Sequence, residues 1–148
     1  MKDAFGGILN IVFVAIFLVI VSGILGMIVN YNKAFQMKNI VITAIEQYEG
    51  SRGCFSESGI SDSACRQRII EGAESIGYSP VDLNCHGYKS SDNLFCYEKR
   101  DSDSHNHDIF TIVTQVDIDI PIINKIMGLE IFQVHGDTKA LIKRNDNY

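Results

Sequence analysis

Clusters of basic residues are missing from this chain, and so are the glycine motifs that bind phosphate. Its 13 Lys and Arg residues are outnumbered by 18 Asp and Glu residues, so the formal net charge is −5. Because no run of Lys or Arg could neutralise successive phosphates, the composition excludes nucleic acid as an expected partner. Neither G-x-G-x-x-G nor a P-loop occurs, and no other motif indicates a cofactor.

Charge is missing altogether from residues 8–29, ILNIVFVAIFLVIVSGILGMIV, whose only polar side chains are Asn10 and Ser22. As a helix this segment spans about 33 Å, slightly more than the hydrocarbon core of a bilayer. A cleaved secretory signal has a shorter apolar region that ends in a small-x-small site. We therefore predict a transmembrane helix at 8–29, with the lipid bilayer as its partner and residues 1–7 as a short cytoplasmic N-terminus or leader.

The four cysteines, Cys54, Cys65, Cys85 and Cys96, all follow the predicted anchor. No C-x-x-C pair is present, and their spacing fits no zinc module. An even number of cysteines in a small extracytoplasmic domain indicates disulfides. Three pairings are open; we favour the sequential one, in which each bridge closes a local loop and contributes about 2.7 kcal/mol. Charges flanking the anchor do not decide its orientation, but disulfides place residues 30–148 outside the cytoplasm and the N-terminus inside.

The helix is predicted to continue beyond the membrane, because neither Pro nor Gly occurs from Asn30 to Glu49. Its apolar residues recur at steps of three and four, which is typical of a helix with one buried face. A single helix of about 45 residues, roughly 65 Å long, follows, with Gly50 as its C-cap. The predicted apolar stripe consists of Tyr31, Ala34, Phe35, Val41, Ile42, Ile45 and Tyr48.

The rest of the chain predicts one more helix followed by strands. The helix begins at Asp62 or Ser63 and ends at Ile76 before Gly77. Residues 110–120 alternate apolar with polar side chains, which indicates a long half-buried strand. This order predicts an α+β fold, in which a long N-terminal helix packs on a small antiparallel sheet with one further helix. The remaining predicted elements are strands at 94–98, 130–135 and 139–143, loops at 51–60 and 85–93, and a polar hairpin tip at 99–108.

Two groups of side chains could be read as sites of chemistry. Imidazole and carboxylate groups suit zinc or manganese, but the candidate ligands lie in the polar tip, which we interpret as a solvated loop. Asp117 and Asp119 share a strand face without a nearby nucleophile or pocket, so we interpret them as its solvated side. His86 and His135 are single histidines. We therefore predict no catalytic residue, no metal site and no enzyme activity; the rejected metal ligands are Asp101, Asp103, His105, His107 and Asp108.

Small and polar residues within the anchor suggest contacts between helices. Asn10 either lies in water at the membrane interface or forms a hydrogen bond to a neighbouring helix. Ser22 and Gly26 form a small-xxx-small pair, with Gly23 beside them, which lets two helices approach closely. These residues make a homo-oligomer through the transmembrane helix a hypothesis to test.

A short N-terminus that ends in Phe5-Gly6-Gly7 is followed by an apolar helix that becomes amphipathic. This order resembles the architecture of type IV pilin-like proteins. The later segment VDIDIPIINKIMGLEIFQVHGDTKA resembles the C-terminal half of TadE-like minor pilins or pseudopilins, which accompany tight-adherence pili and related secretion machinery. The resemblance covers the whole chain in architecture, with low motif specificity. It implies a prepilin-peptidase site at Gly6 or Gly7. Pilins usually carry Glu at the fifth mature position, whereas this chain has Ile11 or Val12 there.

The resemblance implies a structural role: a minor pilin or pseudopilin of a pilus, secretion or conjugation apparatus, which acts by membrane anchoring and subunit assembly. Its partners would be other pilin-like or secretion-apparatus membrane subunits. The alternative is a membrane-tethered extracytoplasmic binding or sensor domain that does not polymerise. Loss of the first six or seven residues in the mature protein distinguishes the first reading from the second.

Overall fold

A single helix, α1, runs from Lys2–Gln47 and is 46 residues long, which confirms the prediction of one continuous helix. The computed structural model describes residues 2–48, 54–56, 59–60, 63–80, 83–102, 107–117 and 131–142. The predicted C-cap at Gly50 lies outside these residues. Helix α1 is long and apolar enough to cross a membrane, and none of its most apolar window is buried by the protein.

Helix α1 has two halves with different surroundings. From Ile8 to Val29 its large apolar side chains are exposed around the helix, for example Ile11 at 70%. From Ala34 onward one face is buried in the core of the domain. The same helix is therefore a bare apolar rod at one end and a core element at the other.

The buried face of α1 differs from the predicted stripe. Ala34, Val41 and Ile45 are buried as expected, but Met37 and Ala44 are buried with them. Tyr31 and Phe35 are instead exposed, at 48% and 42%. Phe35 follows Ala34 by one residue and so lies about 100° further around the helix. The face of α1 that contacts the domain is therefore narrower than its apolar stripe, because the sheet and the second helix cover only the positions nearest to them.

The second helix, α2, spans Ser63–Ile76, as predicted. Its buried residues Ile69 and Ala73 lie on the expected face, together with Cys65. Gly77 ends the helix in the left-handed conformation, with φ at 61°, and Tyr78 N–H donates to the Ala73 carbonyl at 2.9 Å. Glycine adopts this conformation without steric cost, which explains why the helix ends there.

The strands form an antiparallel sheet, which confirms the predicted α+β class. The strands are β1 Phe55–Ser56, β2 Gly59–Ile60, β3 Lys89–Ser91, β4 Phe95–Ser102, β5 His107–Asp117, β6 Ile131–Asp137 and β7 Leu141–Ile142. The order in the sheet is β3-β4-β5-β6, and β7 also pairs with β5. Strands β1 and β2 form a separate two-stranded hairpin.

Three strand predictions need correction. Strand β3 lies within the predicted loop 85–93, and β1 and β2 lie within the predicted loop 51–60. Strand β4 extends to Ser102, well into the segment predicted as a hairpin tip. The polar end of β4 carries no apolar alternation, but it pairs with β5 residue by residue, and Lys99 Nζ forms an ion pair with Asp108 Oδ2 at 2.9 Å. Cross-strand contacts of this kind stabilise a strand that its own sequence does not indicate.

Strand β5 is buried on both faces, whereas its alternation predicted a half-buried strand. Phe110, Ile112 and Val116 belong to the core with α1, and Thr114 Oγ1 donates to the Ala34 carbonyl at 2.9 Å. On the opposite face, Val113 is buried outside that core. Its cross-strand neighbour Cys96 is bonded to Cys85, so a loop lies over this side of the sheet.

A close crossing of α1 and α2 is made at Gly72. A Cβ atom placed there would lie 2.5 Å from Cγ2 of Ile40. Since β-branched side chains keep essentially one rotamer in a helix, Ile40 cannot turn away. We expect Gly72→Ala to lower the free energy of unfolding by about 1–2 kcal/mol, because overpacking outweighs the gain in helix propensity. Urea unfolding of the full chain in detergent measures this difference.

Two controls separate this clash from a general effect of replacing glycine. Gly26→Ala adds a methyl group where nothing lies within 4 Å, so domain stability should not change. In an Ile40→Ala chain, which lacks the obstructing methyl group, Gly72→Ala should lower the free energy of unfolding by less than it does in the parent chain. Equal stability of Gly72→Ala and the parent chain would contradict the close crossing.

Candidate functional site

The two disulfides join residues that are near in sequence. The structure pairs Cys54 with Cys65 and Cys85 with Cys96, at Cα–Cα distances of 5.7 and 5.5 Å, which is the sequential pairing that we favoured. The first bridge ties the segment after α1 to α2, and the second ties the loop before β3 to β4. No free cysteine occurs in the described part of the chain. The cysteines therefore act as structural staples.

The predicted helix-packing residues lie on the bare half of α1. Asn10 and Gly26 are exposed, and Gly23 is half-buried. The Ser22 hydroxyl donates to the carbonyls of Leu18 and Val19 in its own helix, both at 2.9 Å. Both predicted cleavage positions, Gly6 and Gly7, lie within α1. The predicted contact between helices through this surface stays a prediction.

The candidate metal ligands are only partly described. His107 and Asp108 begin β5, while Asp103 and His105 lie outside the described residues. In the described ranges no group of three His, Cys, Asp or Glu side chains converges. Of the two paired aspartates, Asp117 ends β5 and Asp119 lies outside the description.

A shallow depression of about 340 Å³ opens at the end of β5 and β6. Its amide groups hydrogen-bond one another: Asn84 N–H donates to Gln115 Oε1 at 3.0 Å, and Gln115 Nε2 donates back to the Asn84 carbonyl. Gln133 Nε2 donates to the same carbonyl at 3.3 Å. These contacts hold the loop over the sheet. The lining residues are Asn84, His86, Gln115, Phe132 and Gln133.

The hydroxyl of Tyr78 replaces a missing strand partner. The pairing of β4 with β5 ends at Cys96 and Val113, which leaves Gln115 beyond it. The Tyr78 hydroxyl donates to the Gln115 carbonyl at 3.0 Å and accepts from its N–H at 3.1 Å. Because buried backbone groups need partners, this tyrosine has a structural role that no motif in the sequence indicates.

Among the described residues of the domain, two side chains have shifted pKa values, and both shifts have structural causes. Hydrogen bonds from Arg66 to Asp92, together with the carboxylate charge, raise the pKa of Arg66. This ion pair ties α2 to the turn between β3 and β4. Burial raises the pKa of the Tyr97 hydroxyl.

Two exposed aromatic residues and a half-buried lysine follow the apolar rod on α1. We call Tyr31, Phe35 and Lys38 the juxtamembrane cluster. The Lys38 ammonium lies 4.1 Å from the centroid of the Phe35 ring. Nearby, Lys33 Nζ donates to the Gly77 carbonyl at 3.2 Å and so helps to join α1 to the end of α2. The apolar periodicity of α1 predicted both aromatic residues on the buried stripe, so this cluster could not be recognised from the sequence.

The described residues thus offer an apolar helix surface, a stapled domain and the juxtamembrane cluster between them. This arrangement can anchor the chain in a membrane and present the domain to other molecules. Comparison of the chain with protein-family models, with curated proteins and with solved structures gave no match. The function of the chain is therefore inferred from α1, whose first half is exposed and apolar and whose second half packs in the core of the domain.

Proposed function

We propose that this chain is a membrane-anchored structural subunit of a cell-envelope pilus, secretion or conjugation apparatus, of the TadE-like or pseudopilin kind. The observation that carries the proposal is the division of α1, whose first half is bare and apolar while its last turns form the core of the domain. Exposing so much apolar surface to water is unfavourable, and a bilayer removes that cost.

The disulfides support an extracytoplasmic position of the domain. Both disulfides lie on the domain side of the anchor, and disulfides persist in oxidising compartments. The N-terminus then lies in the cytoplasm. In this orientation Gly6 and Gly7 are on the side of the membrane where a prepilin peptidase would act on a pilin-like chain.

Assembly would use the surface that the domain leaves uncovered. In lipid, helices associate through small residues that allow close approach and through polar side chains. Ser22, Gly23 and Gly26 supply the small residues, and Asn10 supplies an amide nearer the cytoplasmic end. The anchor would hold the subunit in the membrane and contact neighbouring anchors, and the stapled domain would present a surface to other subunits.

The intact mass of the protein, extracted from membranes of a bacterium that has a prepilin peptidase, tests the proposal. We expect loss of residues 1–6 or 1–7, because Gly6 and Gly7 precede the apolar helix as in pilin-like proteins. Gly6→Leu and Gly7→Leu serve as matched controls, and the variant at the cleaved position should keep its leader. An unprocessed N-terminus would contradict the pilin route and favour a membrane-tethered binding domain that does not polymerise.

A further inference from the structure

We propose that the juxtamembrane cluster is a lipid-headgroup surface, which places the two rings at the level of the lipid glycerol groups and binds anionic phospholipid through Lys38. The inference rests on the membrane anchoring proposed above and goes beyond it. It assigns a ligand class, the anionic phospholipid headgroup, to three named side chains.

The height of the two rings along α1 supports this assignment. Tyr31 lies two residues beyond Val29 and Phe35 lies six, which corresponds to about 3 and 9 Å along the helix. The headgroup region adds about 5–7 Å on each side of the hydrocarbon core. Side chains on a helix lean toward its N-terminus, so the ring of Phe35 reaches back toward the bilayer. Both rings therefore fall within the headgroup region.

The position of the Lys38 ammonium also matches a headgroup contact. A Cβ atom at Gly136 of β6 would lie 2.6 Å from Cδ of Lys38, so the bare glycine leaves room for the lysine stem against the sheet. This packing directs the ammonium over the exposed ring of Phe35, 4.1 Å from its centroid. The charge is held at the level of the ring, where lipid phosphates lie.

The charges around Lys38 favour an anionic ligand. Between Val29 and Glu46 helix α1 carries two lysines and no acidic residue. No ion pair involves Lys38 in the part of the chain that the structure describes. A lysine near an anionic membrane surface gains about 1 kcal/mol of attraction. Lys38 therefore has a reason to bind phosphate, and no carboxylate of α1 between Val29 and Glu46 competes for it.

Lipid fits this surface better than a second protein because the cluster begins two residues after the apolar rod on the same helix, interspersed with the polar residues Asn30, Asn32 and Lys33. The exposed side chains run from Ile8 through Val29 to Tyr31 and Phe35 on one helix. Aromatic residues and lysines at the end of an apolar span are typical of the membrane–water interface, where the ring is half wet and the stem of the lysine remains on apolar surface.

The chain contains no tryptophan, so Phe35→Trp creates a single fluorescent reporter and retains a ring for the lysine contact. The full-length variant is reconstituted at low protein-to-lipid ratio in vesicles of phosphatidylcholine and phosphatidylglycerol. We expect lipids brominated near the carbonyl to quench Trp at position 35 more strongly than lipids brominated near the chain end. An emission that neither lipid quenches would overturn the proposal, and so would quenching that requires a high protein-to-lipid ratio.

Two further reporters separate this inference from the proposed anchor. Ile16→Trp lies in the middle of the apolar rod and should be quenched most by bromine near the chain end. Tyr88→Trp, on the domain, should not be quenched by either lipid. If position 16 is quenched and position 35 is not, the headgroup surface is wrong while the anchor stands. If neither is quenched, both proposals fail.

The role of the lysine is tested by Lys38→Gln in the Phe35→Trp chain. We expect the preference for quenching by brominated phosphatidylglycerol over brominated phosphatidylcholine to fall by up to about fivefold. Lys139→Gln makes the same charge change on the domain surface, at a side chain that is 86% exposed, and should leave the preference unchanged. Equal preferences in the Lys38→Gln variant and its parent would show that Lys38 binds no anionic headgroup.

Discussion

Replacing all four cysteines by alanine is expected to unfold the domain and to leave the first half of α1 helical in detergent or lipid. Each bridge closes a loop with a sequence separation of 11 residues, and in the chain-entropy model each contributes about 2.7 kcal/mol. Together they supply about 5 kcal/mol, which equals the whole stability of many small domains. Amide hydrogen exchange of β5 in the full chain measures the loss, because these amides are protected only in the folded sheet.

The two single-bridge variants are the matched controls. Removing only Cys54 and Cys65, or only Cys85 and Cys96, should lower the free energy of unfolding by about half as much, so that each variant still folds. Amides in the apolar half of α1 should stay protected in every variant, because that half makes no contact with either bridge. Unchanged protection of β5 in the four-alanine chain would show that the core holds the fold without its staples.

Phe95→Ala is expected to be the most damaging single substitution in the core, with a loss of about 3–5 kcal/mol. Phe95 is 0% exposed and has the largest of the fully buried side chains among the described residues. It begins β4 and packs beside Tyr97, with ring centroids 6.4 Å apart. Truncation leaves a cavity that the surrounding strands cannot close. The midpoint of urea unfolding of the full chain in detergent measures this loss.

Phe35→Ala is the control for Phe95→Ala, because it deletes the same ring from an exposed position on α1. We expect it to leave the free energy of unfolding of the domain within about 0.5 kcal/mol of the parent value. Equal losses in the two variants would mean that Phe35 belongs to the core, which would contradict both the fold and the juxtamembrane cluster.

The elements of this fold whose sequence signals are local could be predicted. The apolar run, the absence of Pro and Gly after Val29, and Gly77 after Ile76 all act within a few turns of one helix. The alternation in β5 also has a local cause, since successive side chains on a strand point to opposite faces. Loop closure between cysteines that are near in sequence favoured the sequential disulfide pairing that the structure has, but the sequence left three pairings open.

The features that sequence did not reveal depend on what each element meets in space. The choice between Phe35 and Met37 for the buried face of α1 depends on where α2 and the sheet lie, and both residues are apolar. The burial of Val113 requires a loop that the Cys85–Cys96 disulfide holds over the sheet. Tyr78 finds its partner 37 residues away, beyond the point where the pairing of β4 with β5 ends. The juxtamembrane cluster was hidden for the same reason, because its aromatic residues continue the apolar periodicity.

The unbroken course of α1 has a mechanical consequence. No linker separates the apolar rod from the domain core, since both belong to one helix that runs to Gln47. The domain therefore cannot swivel or swing independently on a flexible tether. A force or a torque applied to the domain is therefore transmitted directly to the apolar half of α1. Conversely, rotation of that half in the bilayer rotates the domain with it.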